Sequence, residues 1–372
     1  MYNLNLKQLR LPRLVLAAGL ASVAGAASAT TSALGVASDY NVFVFGDSNQ
    51  VSDTQGRIAV GGNATFTNMP VGETTSGAAP VLVVGGNLSY SNATIRQGGS
   101  IDVGGNASFG NMSINGDVSA GGSVTLAPSG QMNGNVVYGS SFTKAQSFSL
   151  NGTATKGSTT LPVDFAAAET YLTHLSAAQY SATDANAGLT YGALTVNASG
   201  AAAGSTSFFN VSADSFNHAY SGFNIIAPTN ATVVLNVAGN SLSMPNTGFS
   251  LSGGISLDHV LFNFYQATSL TVQGSAHGSF LAPLADVTGG WGGFNGTLVA
   301  ASLSGIYGPA SGLEFHTRDY GGGANTLFAG DGLRSAVSPV PEPAESTLML
   351  VALAGIGAVL RKRKPGVAAL AA

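Results

Sequence analysis

At 372 residues, with 45% of them hydrophobic, the chain is long enough to bury one large core or two ordinary ones. Charged residues make up only 8%, against about 25% in an average soluble protein, and Gly fills 51 positions, so solubility has to come from Ser, Thr, Asn and the backbone. A formal net charge of -4 disfavours nucleic acid as a partner, the absence of cysteine excludes disulfides and thiolate metal sites, and the β-branched and aromatic content argues against disorder.

Lys7, Arg10 and Arg13 precede an apolar stretch over residues 14–27, and Ala27-Ser28-Ala29 has the small-x-small form cut by signal peptidase. The apolar run is shorter than the ~20 residues a membrane span needs. Residues 1–29 are therefore expected to be a signal peptide cleaved after Ala29, which makes the protein an exported one.

From residue 56 one phrase keeps returning: "GRIAVGGNATF" (56–66), "VLVVGGNLSY" (81–90), "SIDVGGNASF" (100–109), "DVSAGGSVTL" (117–126) and "NVVYGSSF" (135–142). The equivalent glycines, Gly61, Gly85, Gly104, Gly121 and Gly139, are 24, 19, 17 and 18 residues apart. Each repeat is a short β-branched run, a glycine corner and a second alternating run, and it can bury its apolar side only against stacked neighbours. This predicts an all-β fold, a parallel right-handed β-helix with rungs of about 18 residues. At the corners, glycine is expected for its access to φ > 0 and Asn as the next most tolerant residue. Asn-x-Ser/Thr triplets such as Asn63-Ala64-Thr65 and Asn106-Ala107-Ser108 are then turn residues, their other reading being glycosylation acceptors.

Over residues 164–179 the period changes. Phe165, Ala168, Leu172, Leu175 and Ala178 recur at three- and four-residue steps behind Asp164 as N-cap, predicting one helix of about four turns. Strand-like runs return at 191–198, 223–228 and 231–239, and residues 261–264, 279–282 and 297–300 again step by 18. The simplest architecture is a single β-helix with one helix lying along it, followed by a flexible Gly-rich linker over 320–339.

Two stretches carry a family likeness. "YNVFVFGD" (40–47), "GRIAVGGNA" (56–64), "LFNFYQATSLTVQG" (261–274), "GSFLAPLADVT" (278–288) and "NGTLVAASLSG" (295–305) make residues 30–319 resemble the choice-of-anchor A domain of bacterial surface proteins. The loop "GGWGGFNG" (289–296) departs from that pattern. Residues 340–364 resemble a PEP-CTERM sorting signal: Pro341-Glu342-Pro343, an apolar run, then Arg361, Lys362, Arg363 and Lys364, with a short tail over 365–372. That likeness implies an exosortase, a membrane transpeptidase-like enzyme, as processing partner. It also implies a Gram-negative source that builds an extracellular polysaccharide matrix. The apolar run at 348–360 is about 20 Å of helix against a hydrocarbon layer of about 30 Å, short for a durable anchor. The cations hold the C-terminus inside and leave Pro341-Glu342-Pro343 outside the inner membrane.

The resemblance assigns no catalytic residue, cofactor or metal, and implies an adhesin-like surface or matrix protein. The rival class is a carbohydrate-active enzyme on the same scaffold, which needs clustered carboxylates. The one dense group is Glu314, His316, Arg318 and Asp319 in "LEFHTRD", read here as a polar cap over the last turn. Asp47 and Asp53 flank the first loop and could reach a Ca²⁺ ion, although two carboxylates alone read better as turn residues. His174, His218, His259, His277 and His316 are far apart and lack ligand spacing. An ice-binding-like face would show Thr-x-Thr rows. Thr65 and Thr67 form one pair, but Ser89, Ser108 and Thr125 have no second Thr two positions on. Ser- and Asn-rich turns with aromatics among them (Tyr90, Phe109, Tyr138, Phe142) suit weak multivalent contact with polysaccharide. The expectation is a secreted, non-enzymatic protein at the cell surface, outer membrane or matrix.

Overall fold

Runs such as Ile58–Val60 and Leu82–Val84 are apolar at every position, the mark of a parallel strand covered on both sides. The computed structural model describes residues 33–335, apart from 77, 78, 96, 97, 307, 309, 310 and 319–323, and shows how that covering is achieved. The proposed signal peptide, sorting motif and tail, with Ala27, Ala29, Pro341, Glu342, Pro343, Arg361, Lys362 and Arg363, lie outside the described residues, as does Asp319.

The described chain is mostly β, wound into a nearly closed solenoid of short parallel strands. On its first face Val42–Val44, Ile58–Val60, Leu82–Val84, Ile101–Val103, Val118–Ala120, Val136–Tyr138 and Ala154–Lys156 pair in that order. A second block, Ala185–Ala187, Thr206–Val211, Thr232–Val237, Val260–Asn263, Ser279–Gly289 and Leu298–Gly305, pairs likewise.

The two blocks do not follow one another along the stack. Leu298–Gly305 pairs with Val42–Val44 through Val42↔Leu298, so the first and last strands of this face meet in its middle. The physical reason is burial: Val42, Phe43 and Val44 are all inaccessible to solvent, which an end rung cannot provide. Asn41 stitches this seam. Its buried Nδ2 donates to Gly296 O (2.6 Å) and His316 O (3.1 Å), while its Oδ1 accepts from Gly56 N (3.1 Å).

Helix α1 (Phe165–Gln179) returns the chain from one block to the far end of the other, and Asp164 caps it by accepting from Ala167 N at 3.0 Å. Its Ala168, Leu172 and Leu175 cover Phe43, Ala59 and Val83 on one side of the seam and Val234, Leu261, Leu281 and Val299 on the other. A column of Asn side chains receives its C-terminal end: Asn263 Nδ2 donates to Ser176 O (2.9 Å) and Asn236 Nδ2 to Gln179 O (2.9 Å). The expectation of one helix needs correction, because a second, α2 (Ala213–Asn217), caps on Ser212. Five residues are too few for a 3.6-residue period to show in sequence. No helix among the described residues is long and apolar enough to cross a membrane.

Within the stretch expected to be a flexible linker, residues 324–335 lie against the solenoid. Phe328 is buried in the cluster under α1, and Arg334 pairs with Asp184 (2.5 Å), bonds Gln179 and lies 3.7 Å over the Phe208 ring. The corners also differ from expectation in their cause. Gly61, Gly85, Gly104, Gly121 and Gly139 do not adopt φ > 0; each sits where a Cβ would collide with backbone of the rung before it. Left-handed residues instead stand at the next corner, among them Asn68, Asn92 and Asn111.

Candidate binding surface

With α1 over the first face, the second face is a regular exposed surface. Its strands stack in register across the seam, and outward positions fall in two columns. One column runs Ser243, Thr271, Thr288, Ser304, Asn49, Thr65, Ser89, Ser108, Thr125, Thr143. Two residues earlier on each strand lies the other: Ser241, Ser269, Asp286, Ser302, Asp47, Asn63, Asn87, Asn106, Ser123, Ser141. None of these side chains is buried, whereas the residue between the two, such as Ala64, Leu88, Ala107 or Val124, points into the core. The geometry of strands spaces the groups about 4.8 Å between rungs and about 6.7 Å along a strand.

From Asp47 to Ser123 the second column is a one-way hydrogen-bond chain. Asn106 Nδ2 donates to Asn87 Oδ1 (3.1 Å), Asn87 Nδ2 to Asn63 Oδ1 (3.0 Å), and Asp47 Oδ1 accepts from Asn63 N (2.7 Å). Amide columns pass the donor along, so the first member needs only to accept, and a carboxylate serves there. Asp47 is thus the foot of a ladder. Asp53 lies at the other end of the intervening strand, Ser48–Gln50, its carboxyl raised by burial and by Glu314 nearby. No three His, Cys, Asp or Glu side chains among the described residues converge as metal ligands.

A shallow trough follows the ladder from Asn63 and Thr65 to Ser123 and Thr125. The aromatics expected on this surface are not there. Tyr90 and Phe109 point inward and are buried, Tyr90 donating its hydroxyl to Met69 O, and Tyr138 and Phe142 stack against each other beside the core. An exposed aromatic beside this face is Trp291, 63% accessible in the "GGWGGFNG" loop, at the corner leading off the Thr288 strand. Sequence reasoning saw the hydroxyls of Thr65, Ser89, Ser108 and Thr125 but missed the second column, because it looked two residues beyond each hydroxyl rather than two before it. The signal was present as a polar-apolar-polar triplet after each glycine corner.

The "LEFHTRD" group is not an end cap. Leu313–His316 pairs with Gly292–Asn295, and Phe315 bridges Thr54 of the first turn, which puts it at the seam. His277 and His316, read as far apart, stand in one column with Asn295 between them: Asn295 Nδ2 meets His277 Nδ1 at 3.1 Å and its Oδ1 meets His316 Nδ1 at 3.3 Å. His316 is buried and pairs with Glu314 at 2.9 Å. Burial, and then His316, push the imidazole of His277 down. The contacts join strands distant in sequence, which residue spacing cannot show.

No curated protein and no solved structure matches the chain. A family model described as "Putative Ice-binding-like adhesive domain" matches residues 33–317, from the first described turn to the seam strand. With most of its length covered by that match, the chain belongs to this family of ice-binding-like adhesive domains.

Proposed function

We propose that the protein is an exported, non-enzymatic adhesin of the bacterial surface or extracellular matrix, and that the ladder face is its contact surface for polysaccharide. The observation that carries this is the pair of polar columns, mostly hydroxyls and amides, running in register across both blocks of a chain in an adhesive-domain family. Each exposed hydroxyl or amide offers a weak, water-competed hydrogen bond, so strength comes from many rungs engaging one polymer at once. Trp291 at the rim adds a flat apolar surface for sugar rings. Replacing Ser89 and Ser108 by arginine puts two bulky cations in the middle of the ladder at exposed positions, where stability should change by no more than about 0.5 kcal/mol each. Retention on beads carrying the producer's exopolysaccharide is expected to fall at least tenfold with the melting temperature held. Unchanged retention would remove the ladder from the contact.

Delivery belongs to the same proposal. The likeness of residues 340–364 to a PEP-CTERM signal supports sorting by an exosortase, and that of residues 30–319 to the choice-of-anchor A domain supports a surface-attached product. Alanine at Pro341, Glu342 and Pro343 is expected to strand the protein in the inner membrane, read by fractionation; normal release of that variant would refute the sorting role. The family description and the regular columns also favour a second reading, contact with ice. Inhibition of ice recrystallisation that the same Ser89/Ser108 variant abolishes would transfer the ladder to that ligand.

A further inference from the structure

Cations are scarce enough here for their placement to carry information. The described residues hold lysine or arginine at Arg57, Lys144, Lys156, Arg318 and Arg334. Lys144 caps the carbonyl of Phe148 (2.8 Å), and the guanidinium of Arg334 is taken by the Asp184 carboxylate and the Gln179 carbonyl oxygen. Arg57 and Arg318, remote in sequence, line one cleft of about 340 Å³ at the seam, together with Asp39, Thr74, Thr317 and Asn325.

The cleft is built rather than incidental. Thr74 Oγ1 lies 2.7 Å from Thr317 Oγ1, Gln55 Oε1 accepts from Thr317 N (3.2 Å), and Thr317 O accepts from Thr326 N (3.0 Å). The walls are therefore fixed before any ligand arrives. Of the five N–H groups of Arg57, Nη2 spends one on Ser76 O (2.7 Å), and Nε is buried without a partner. The exposed guanidinium of Arg318 pairs with no carboxylate among the described residues.

We infer that this cleft binds a uronic acid residue of an acidic polysaccharide. The inference rests on the polysaccharide reading above and names the sugar class. Arginine is the side chain suited to a carboxylate, which its planar fork takes in paired bonds. Asp39, the threonine hydroxyls and the Asn325 amide supply acceptors and donors for ring hydroxyls. A neutral sugar leaves both cations unanswered, and a simple anion leaves the hydroxyl partners unused. A uronate answers both.

The test is calorimetric titration of the exported full-length protein with tetragalacturonate and with maltotetraose. Tetragalacturonate should bind, more weakly as salt rises, and maltotetraose should not. Arg318→Gln, at an exposed position, should raise Kd about tenfold with the melting temperature unchanged, one lost charge-assisted contact. Equal binding of both sugars, no binding of tetragalacturonate, or an unaltered Kd in Arg318→Gln each overturns the inference. Retention on exopolysaccharide beads separates the two ideas. If Arg318→Gln titrates like the parent while the Ser89/Ser108 variant loses retention, the cleft fails and the ladder stands. If the Ser89/Ser108 variant keeps retention, the ladder fails whatever the cleft does.

Discussion

Replacing Phe280 by alanine is expected to lower the unfolding free energy by about 3–5 kcal/mol, read from the midpoint of a urea titration. Phe280 is fully buried and lies 5.3 Å from Phe262, 5.1 Å from Phe264 and 4.8 Å from Phe294, ring centre to ring centre. Phe294 then reaches Phe315 at 5.1 Å, and Phe315 bridges Thr54. One aromatic spine thus runs from the second block to the seam. Truncation removes the transfer energy of a ring, three edge-on contacts and the filling of a space that rigid strands cannot close. The same change at Tyr191, 99% accessible, should cost less than about 0.5 kcal/mol. A loss below about 1 kcal/mol at Phe280 would mean that the blocks do not depend on this spine.

The contrast between these two aromatics shows which parts of the fold the residues announce. Stacked rungs were legible from the recurring glycine phrase, because a solenoid repeats its sequence wherever it repeats its contacts. Helix α1 was legible to its ends, since Asp164 caps it and Ala168, Leu172 and Leu175 mark its buried stripe. The order of the blocks was not. Pairing Val42 with Leu298 involves no local pattern, only two runs each apolar on both sides and each in need of a neighbour. Local likeness also misread the cause of the glycine corners, whose reason lies in the preceding rung rather than in their own φ.

The binding surface was half legible for a related reason. Thr65, Ser89, Ser108 and Thr125 were visible as one column, and Asn63, Asn87 and Asn106 as corner residues, yet their union into a lattice needs the strand register. The seam makes that lattice long. Because Asn49 lies beside Ser304 in register, the rungs of Ser243, Thr271, Thr288 and Ser304 extend those of the first block into one face along which a polymer can be held. The cleft with Arg57 and Arg318 exists for the same reason. Only the closure of the last strand on the first brings those two cations together.

Gly85→Ala tests the link between rung spacing and adhesion in one residue, with an expected loss of about 3 kcal/mol. A Cβ at Gly85 would fall well inside 3.0 Å of the Gly61 carbonyl oxygen, a backbone atom with nowhere to go. Relief requires the two rungs to part, against the bonds Gly85 N to Val60 O (2.7 Å) and Gly86 N to Gly62 O (2.8 Å). Asn63 and Asn87 leave the same corner, so parting the rungs also breaks their 3.0 Å side-chain bond and interrupts the exposed lattice. Gly188→Ala is the control: nothing lies within 4 Å of its added methyl, and the loss of unfolded-chain entropy should make it neutral or slightly stabilising. The two variants should therefore diverge in urea midpoint, and Gly85→Ala should also retain less exopolysaccharide at a temperature where it is still folded. A Gly85→Ala protein as stable as the parent would show that the corner glycines are not what sets the rung spacing. A destabilised variant with full retention would show that the ladder does not need that spacing to adhere.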